Sequence, residues 1–280
     1  MRTQIIATLA GGLLLTVLQS ATGMAFGPMP GPDAPPDVLG WLLLSNVLVA
    51  GVLAWLARMS VWTGPSLAAA LFAVSYGIGT FNSLVEAYVF DFFHRPGELQ
   101  ALFVLTLVPA VLFAPMMVWL AGRWRRPRTV AARPPEHSAA VWAARFAACS
   151  VAYLLLYFAA GMIIYPYVQQ FYEATKTLPS TLTIVALQLL LRGPIFVALG
   201  LLIVRFAPAT RNQHALMVGV VMSVLAGVAP LLVPNAYFPD AVRWVHLIET
   251  TTSNFAFGAI VGWLLGGEKH QDAGVISHAA

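Results

Sequence analysis

Two glutamates, a histidine and an arginine lie inside stretches of this sequence that otherwise read as membrane-spanning helix, and they are the residues best equipped for chemistry. The densest stretch is RWVHLIETTTSNFAFG, Arg243 to Gly258. On a helix, His246, Glu249, Thr250 and Ser253 fall on one stripe at spacings of three, four and seven, with Asn254 adjoining it. In FNSLVEAY, Asn82 and Glu86 are four apart and share a face, with Gly79 beneath them, where a small residue lets another helix approach. Arg192 stands in LLLRGP, deep in a further apolar run. Carboxylates and an imidazole in such a setting exchange protons or hold a ligand, and a buried guanidinium binds an anion or a carboxylate. Ionisable groups at membrane depth are costly, which makes each of these a candidate site residue.

Composition sets the environment in which those groups must be positioned. Hydrophobic residues make up 59% of the 280 residues and charged ones 9%, against about 25% charged in water-soluble domains. Such a chain cannot cover an apolar core with polar surface, so its outside faces the bilayer. The formal net charge of +4 does not indicate a nucleic-acid partner, because the basic residues cluster at the ends of apolar segments rather than on one amphipathic face. The single cysteine, Cys149, excludes an internal disulfide and a cysteine-only metal cage.

Eight segments meet the requirement of about 20 apolar residues for a helical span. They run Gln4 to Thr22, Val38 to Ala57, Pro65 to Phe90, Leu99 to Ala121, Val141 to Pro166, Leu178 to Val204, Ala215 to Val233 and Ala241 to Leu265. Proline and glycine clusters at GPMPGPDAPPD, HRPGE and VPNAYFPD break the runs. The expected fold is an all-α, polytopic integral membrane bundle of about eight helices in a single domain spanning 1–280. The count is seven if the first segment, which also reads as a secretory signal peptide, is cleaved. A basic linker at 123–140 and a short tail at 266–280 complete it.

Lysine and arginine accumulate on the cytoplasmic side of membrane proteins. One set of loops and ends holds eleven of the fifteen basic residues, including Arg2, Arg58, Arg123, Arg125, Arg126, Arg128 and Lys269, whereas the opposite set holds Arg95, Lys176 and Arg243. Both termini are therefore expected in the cytoplasm of a bacterial-type inner (plasma) membrane. Arg123, Arg125, Arg126 and Arg128 are expected to meet anionic lipid headgroups. Arg95 and Arg243 should anchor at the outer headgroups, and Tyr165, Tyr167, Tyr172 and Trp244 suit the aromatic belt there. An echo about eighty residues apart, from YGIGTFNSLVEAYVF and from YFAAGMIIYPYVQQF, repeats a pattern of span, polar loop and proline-bearing span, with Pro109 and Pro194 in matching places.

This topology puts the candidate groups in one layer. At about 1.5 Å per residue, His246 lies roughly 8 Å, Glu249 roughly 13 Å and Glu86 roughly 7 Å below the outer ends of their helices. Arg192 lies near the midplane, where an unpaired arginine costs at least about 2.5 to 3.5 kcal/mol. Glu249 is the glutamate nearest to it in depth, so the expected pair is Arg192 with Glu249, with Glu86 and His246 above. Each group also has a structural reading, as a paired charge or hydrogen-bonded histidine that locks helices together.

A metal is not expected. His246 and Glu249 resemble half of a carboxylate–histidine site that Glu86 and His94 would complete, yet a di-iron bundle needs about four carboxylates and two histidines. A single zinc or iron on Glu86, His94, His246 and Glu249, or a haem on His94 and His246, is the weaker alternative. FDFFH matches a fragment of the intramembrane glutamate-protease pattern, but Glu86 is single and that family is not indicated. Phosphate loops, nucleophile elbows and zinc-protease motifs are absent from the sequence. The expected function is a small permease or transporter-like binding protein for a small polar or anionic solute, with proton coupling through Glu86 or Glu249. The alternatives are an integral membrane enzyme using the His/Glu cluster for acid–base or single-metal chemistry, and a structural or signalling subunit, alone or in an oligomer.

Overall fold

The computed structural model describes residues 2–27, 37–93, 95–125, 138–235 and 237–267. His94, Arg126, Arg128, Lys269 and most of the 123–140 linker and the 266–280 tail lie outside the described residues. The described residues form eight helices: α1 (Arg2–Phe26), α2 (Val38–Met59), α3 (Gly64–Val89), α4 (Glu98–Leu120), α5 (Ala139–Thr175), α6 (Thr181–Phe206), α7 (Arg211–Leu232) and α8 (Asp240–Leu265). The described residues contain no strand. Seven of the helices are long and apolar enough to cross a membrane, and α8 is as long but more polar. Large apolar side chains such as Ile6, Leu9, Leu155, Ile163 and Leu190 stand exposed along them. The chain is a multi-pass helical membrane protein.

The expected spans match these helices within a few residues, except at α5. That helix runs through Pro166 for 37 residues, about 55 Å at 1.5 Å per residue, well beyond a hydrocarbon core of about 30 Å. Its last turns are not a loop, because Val168, Phe171 and Tyr172 pack against the same end of the bundle as Phe238 and His246.

Loop contacts define two faces. On one, which carries the described ends of the chain, the Val61 amide donates to the Phe206 carbonyl oxygen and the Gly64 amide to that of Arg123. Arg123 also donates to the Ser60 carbonyl oxygen, while Arg125 is exposed. On the other, distal face, Phe92, Phe93, Tyr237, Phe238 and Phe171 form a contiguous aromatic cap.

Three helices contain a π turn, at Gly77–Phe81 in α3, Leu187–Arg192 in α6 and Val224–Val228 in α7. In each, an amide reaches back five residues: Asn82 to the Gly77 carbonyl, Gly193 to Gln188, and Ala229 to Val224. Two of the turns come just before prolines, Pro194 and Pro230, whose missing N–H and bulky ring break the ordinary helical ladder. Pro109 and Pro166 sit within helices without such a turn, and so the two halves of the sequence echo differ in form: the π turn lies in α3 of the first hairpin and in α6 of the second.

Helix α8 is held by glycine seams. A Cβ at Gly258 would lie 2.6 Å from the Val218 carbonyl oxygen and 2.8 Å from Gly219 Cα, and one at Gly262 would collide with the His214 carbonyl. Gly227 likewise receives the Thr251 backbone, and Ser223 donates to the Thr251 carbonyl oxygen at 2.9 Å. Backbones this close leave no room for a side chain. Arg243, expected among headgroups, is instead buried. It donates to the Leu231 and Leu232 carbonyl oxygens (2.8 and 3.0 Å) and to Asp240 Oδ1 (2.8 Å). The final carbonyls of α7 have no partner within their own helix, and a cation at that negative end of the dipole satisfies them.

The seam sets a testable contrast between two glycines. Gly258→Ala should lower stability by roughly 1–3 kcal/mol through overpacking, whereas Gly161→Ala, where nothing stands within 4 Å of the added carbon, should raise it by about 0.5–1 kcal/mol. Thermal unfolding in detergent reads both, and equal shifts would contradict the seam.

Candidate functional site

Arg192 closes the π turn of α6, and that turn faces the distal part of α3 across its own π turn. Its Nε donates to the Asn82 carbonyl oxygen at 3.1 Å, and its Nη1 donates both to Glu86 Oε1, in a close ion pair, and to Gln188 Oε1 at 3.1 Å. Gln188 Nε2 reaches the same Glu86 oxygen at 3.3 Å, and Asn82 Nδ2 donates to the Arg192 carbonyl oxygen at 3.3 Å. Tyr153 and Phe196 flank the guanidinium with ring centres 5.9 and 5.8 Å away. The arginine side chain is 7% exposed and that of Glu86 28%, so the carboxylate forms the open side of the pair. Asn82 is fully buried, and its Oδ1 has no hydrogen-bond partner.

The second group lies on α8. His246 Nδ1 is 2.8 Å from Glu249 Oε2, and His246 Nε2 is 3.0 Å from the Tyr172 hydroxyl. The glutamate follows the histidine by three residues and meets it on one helical face; Tyr172 arrives from the long end of α5, with Phe238 packed on the imidazole at 5.1 Å between ring centres. When Glu249 is ionised, the neutral imidazole donates from Nδ1 and accepts the tyrosine proton at Nε2. A protonated imidazole keeps both partners by donating from both nitrogens. The imidazole can therefore gain a proton while keeping both neighbours as hydrogen-bond partners.

Tyrosines pack beside both groups. Tyr157 and Tyr172 share one cluster with Val85, Phe90 and Leu187, the chain neighbourhood of Glu86 and Gln188, and Tyr153 stands against the Arg192 guanidinium. Tyr172, expected in an outer aromatic belt, turns inward, because α5 outlasts Pro166 and folds its last turns over the site.

The expected Arg192–Glu249 pair is corrected: Glu86 holds the arginine and His246 takes Glu249. Equal depth does not bring two helices together. The π turn of α6 packs against the Asn82–Val89 part of α3, which places Glu86 beside the guanidinium. Ser253 and Asn254 join neither group; Ser253 and Thr250 donate back to the Glu249 and His246 carbonyl oxygens of their own helix. Among the described residues, no three His, Cys, Asp or Glu side chains are disposed to hold a metal ion, and His94 lies outside them. Gln188 was missed in the sequence, although a glutamine four residues before an arginine in an apolar span signals a shared face. Tyr153 and Tyr172 gave no comparable signal among so many aromatics.

At the rim of the cap, the Tyr237 hydroxyl donates to Glu98 Oε1 at 3.0 Å, and burial, reinforced by that carboxylate, pushes it up to about 12. No protein-family profile matches this chain, and no curated protein or solved structure matches it.

Two measurements follow from this geometry. Glu86→Gln and Arg192→Gln should each cost about 3–5 kcal/mol, with a coupling of roughly 0.5–3 kcal/mol in their double-mutant cycle; an Arg192/Glu249 cycle with the larger coupling would contradict the pairing. For Tyr237, a raised value favours the protonated folded state. Its contribution is complete below the ordinary value of about 10 and is lost as pH rises through about 12. An ultraviolet tyrosinate titration of the wild type minus Tyr237→Phe should show one group titrating near the upper value; one near the lower value would contradict the contact.

Proposed function

We propose that this chain is a small permease-like protein in which an anionic solute and a proton share the site built on Arg192, Glu86 and His246. The observation that carries the reading is that the buried guanidinium is balanced by a carboxylate on its open side. A solute carboxylate is chemically equivalent to Glu86 at Arg192 and can replace it. Glu86, released into an apolar site, then takes up a proton, because an unpaired carboxylate there is disfavoured. One anion and one proton thereby enter together, and the buried charge is unchanged. Asn82 Oδ1, buried without a partner, offers an acceptor for a hydroxyl or protonated group of the solute.

Tyr172, His246 and Glu249 supply the proton route. The imidazole keeps both partners when it gains a proton, and Tyr172 packs in one cluster with Val85 and Leu187, beside Glu86 and Gln188 along the chain. The π turns of α3 and α6 fit this role, since they locally exchange one backbone ladder for another beside the site. The lysine and arginine bias puts the distal face outward in an inner (plasma) membrane with both termini in the cytoplasm, and exposed Arg125 at the opposite face suits anionic headgroups. A histidine held between a tyrosine and a glutamate would also serve an acid–base enzyme. Vectorial uptake separates the two readings.

Purified protein in proteoliposomes, offered labelled small mono- and dicarboxylates, should accumulate at least one of them when a proton gradient is imposed, and should lose that accumulation when the gradient is collapsed. Glu86→Gln should retain exchange of the anion between compartments yet show no response to the gradient. Chemical conversion of a solute without accumulation would favour the enzyme. Uptake of all tested anions by folded protein at the rate of empty vesicles would overturn the transport reading.

A further inference from the structure

A second polar space lies on the other side of α3. Between α1, α2, α3, α4 and α7 there is a half-open cavity of about 140 Å³ whose wall includes Gln19, Asn46, Ser75, Tyr76, Thr80 and Thr106. It is separate from the Arg192 site: Gly79 and Thr80 of the α3 π turn border it, whereas Asn82 and Glu86, further along the same helix, hold the arginine. The α7 π turn contributes Leu225, whose carbonyl oxygen would lie 3.2 Å from a Cβ on Gly79. Both turns are therefore fixed in place around the space.

The wall carries amides and hydroxyls but no acidic, basic or histidine side chain. Part of its hydrogen-bonding capacity is used internally. Asn46 Nδ2 donates to Gln19 Oε1 at 2.8 Å and to Thr16 Oγ1 at 3.1 Å, and the Thr106 hydroxyl donates to the Leu102 carbonyl oxygen at 2.7 Å. The remaining edges are the Asn46 carbonyl, an acceptor, and the Gln19 amino group, a donor. Tyr76 is 7% exposed, and its buried hydroxyl stands beside that of Thr106 without a well-formed hydrogen bond. A buried hydroxyl whose bonding is incomplete costs up to about 1–3 kcal/mol, part of which a ligand or water would recover.

We infer that this cavity is a binding site for a small uncharged hydroxyl- or amide-bearing molecule of glycerol size. The size follows from volume, since an apolar cavity of about 150 Å³ holds benzene, with about six heavy atoms. The polarity follows from the unpartnered edges, which an apolar guest would leave unsatisfied. Neutrality follows from the wall, because an ion there would meet no opposite charge.

Protein in lipid nanodiscs labelled with 3-fluorotyrosine, the Tyr76 resonance assigned by Tyr76→Phe, tests the site directly. Titrated glycerol should shift that resonance saturably, while inorganic phosphate and choline should not. Ala110→Leu, which fills the cavity, should weaken binding by about tenfold or more, and the isosteric Thr80→Val should weaken it to a lesser degree. A shift that only drifts linearly with glycerol would mean that water alone occupies the space and would overturn the inference. So would saturation by phosphate or choline, or an unchanged titration in an Ala110→Leu protein that melts like the wild type. Should Ala110→Leu not fold, Thr80→Val decides by the same readout, an unchanged titration again counting against the site.

Discussion

A guanidinium inside an apolar bundle must have acceptors, and the arrangement of α3 and α6 depends on meeting that demand. Arg192 receives them from three directions, the Asn82 carbonyl, the Glu86 carboxylate and the Gln188 side chain. Removing Glu86 leaves a charge that neither lipid nor apolar side chains can solvate. Both helices carry a π turn at the contact, and Asn82 in turn donates to the Arg192 backbone. The ion pair is therefore part of an interlock between two irregular helical segments.

The second group is held by a different set of contacts. His246 and Glu249 ride on α8, which is bound to α7 by seams at Gly219, Gly258 and Gly262, where backbone meets backbone. Arg243 at the start of α8 ties down the end of α7 by satisfying its last carbonyls. With α8 so fixed, the extended end of α5 and the aromatic cap bring Tyr172 and Phe238 onto His246. Tyr172 also packs in one cluster with Val85 and Leu187, the neighbours of Glu86 and Gln188 along the chain. A proton-coupled reading rests on this adjacency of a paired cation and a histidine that stays hydrogen-bonded in either protonation state.

The fold class was legible because it follows from composition and length alone: 59% hydrophobic residues and eight apolar runs admit few alternatives to a helical membrane bundle. Periodicity also identified the groups that share a helical face, Asn82 with Glu86 and His246 with Glu249, since spacing along one helix is a local property. Helix α5 exceeded its expected end because hydropathy reports where lipid contact stops, whereas a helix continues as long as packing and backbone hydrogen bonds support it. The six residues from Val168 to Glu173 read as interface, and the aromatic cap turned their inner face into a wall of the site.

Depth along a span was thus written in the sequence, while lateral neighbours were not. Glu249 lies closer to Arg192 in estimated depth, yet Glu86 holds the arginine, because the choice depended on which helix packs beside the α6 π turn. The same holds for Arg243, whose charge suggested headgroups until the end of α7 supplied buried carbonyls. It holds for the polar cavity too, since Gln19, Asn46, Tyr76 and Thr80 come from three helices and no single stretch marks them as one wall. Sequence alone determined the environment, the helices and the faces they present, because these are set by transfer of side chains into lipid and by helical periodicity. Tertiary structure alone decided which face meets which, because that is settled by steric fit at glycine seams and by the need of each buried polar atom for a partner.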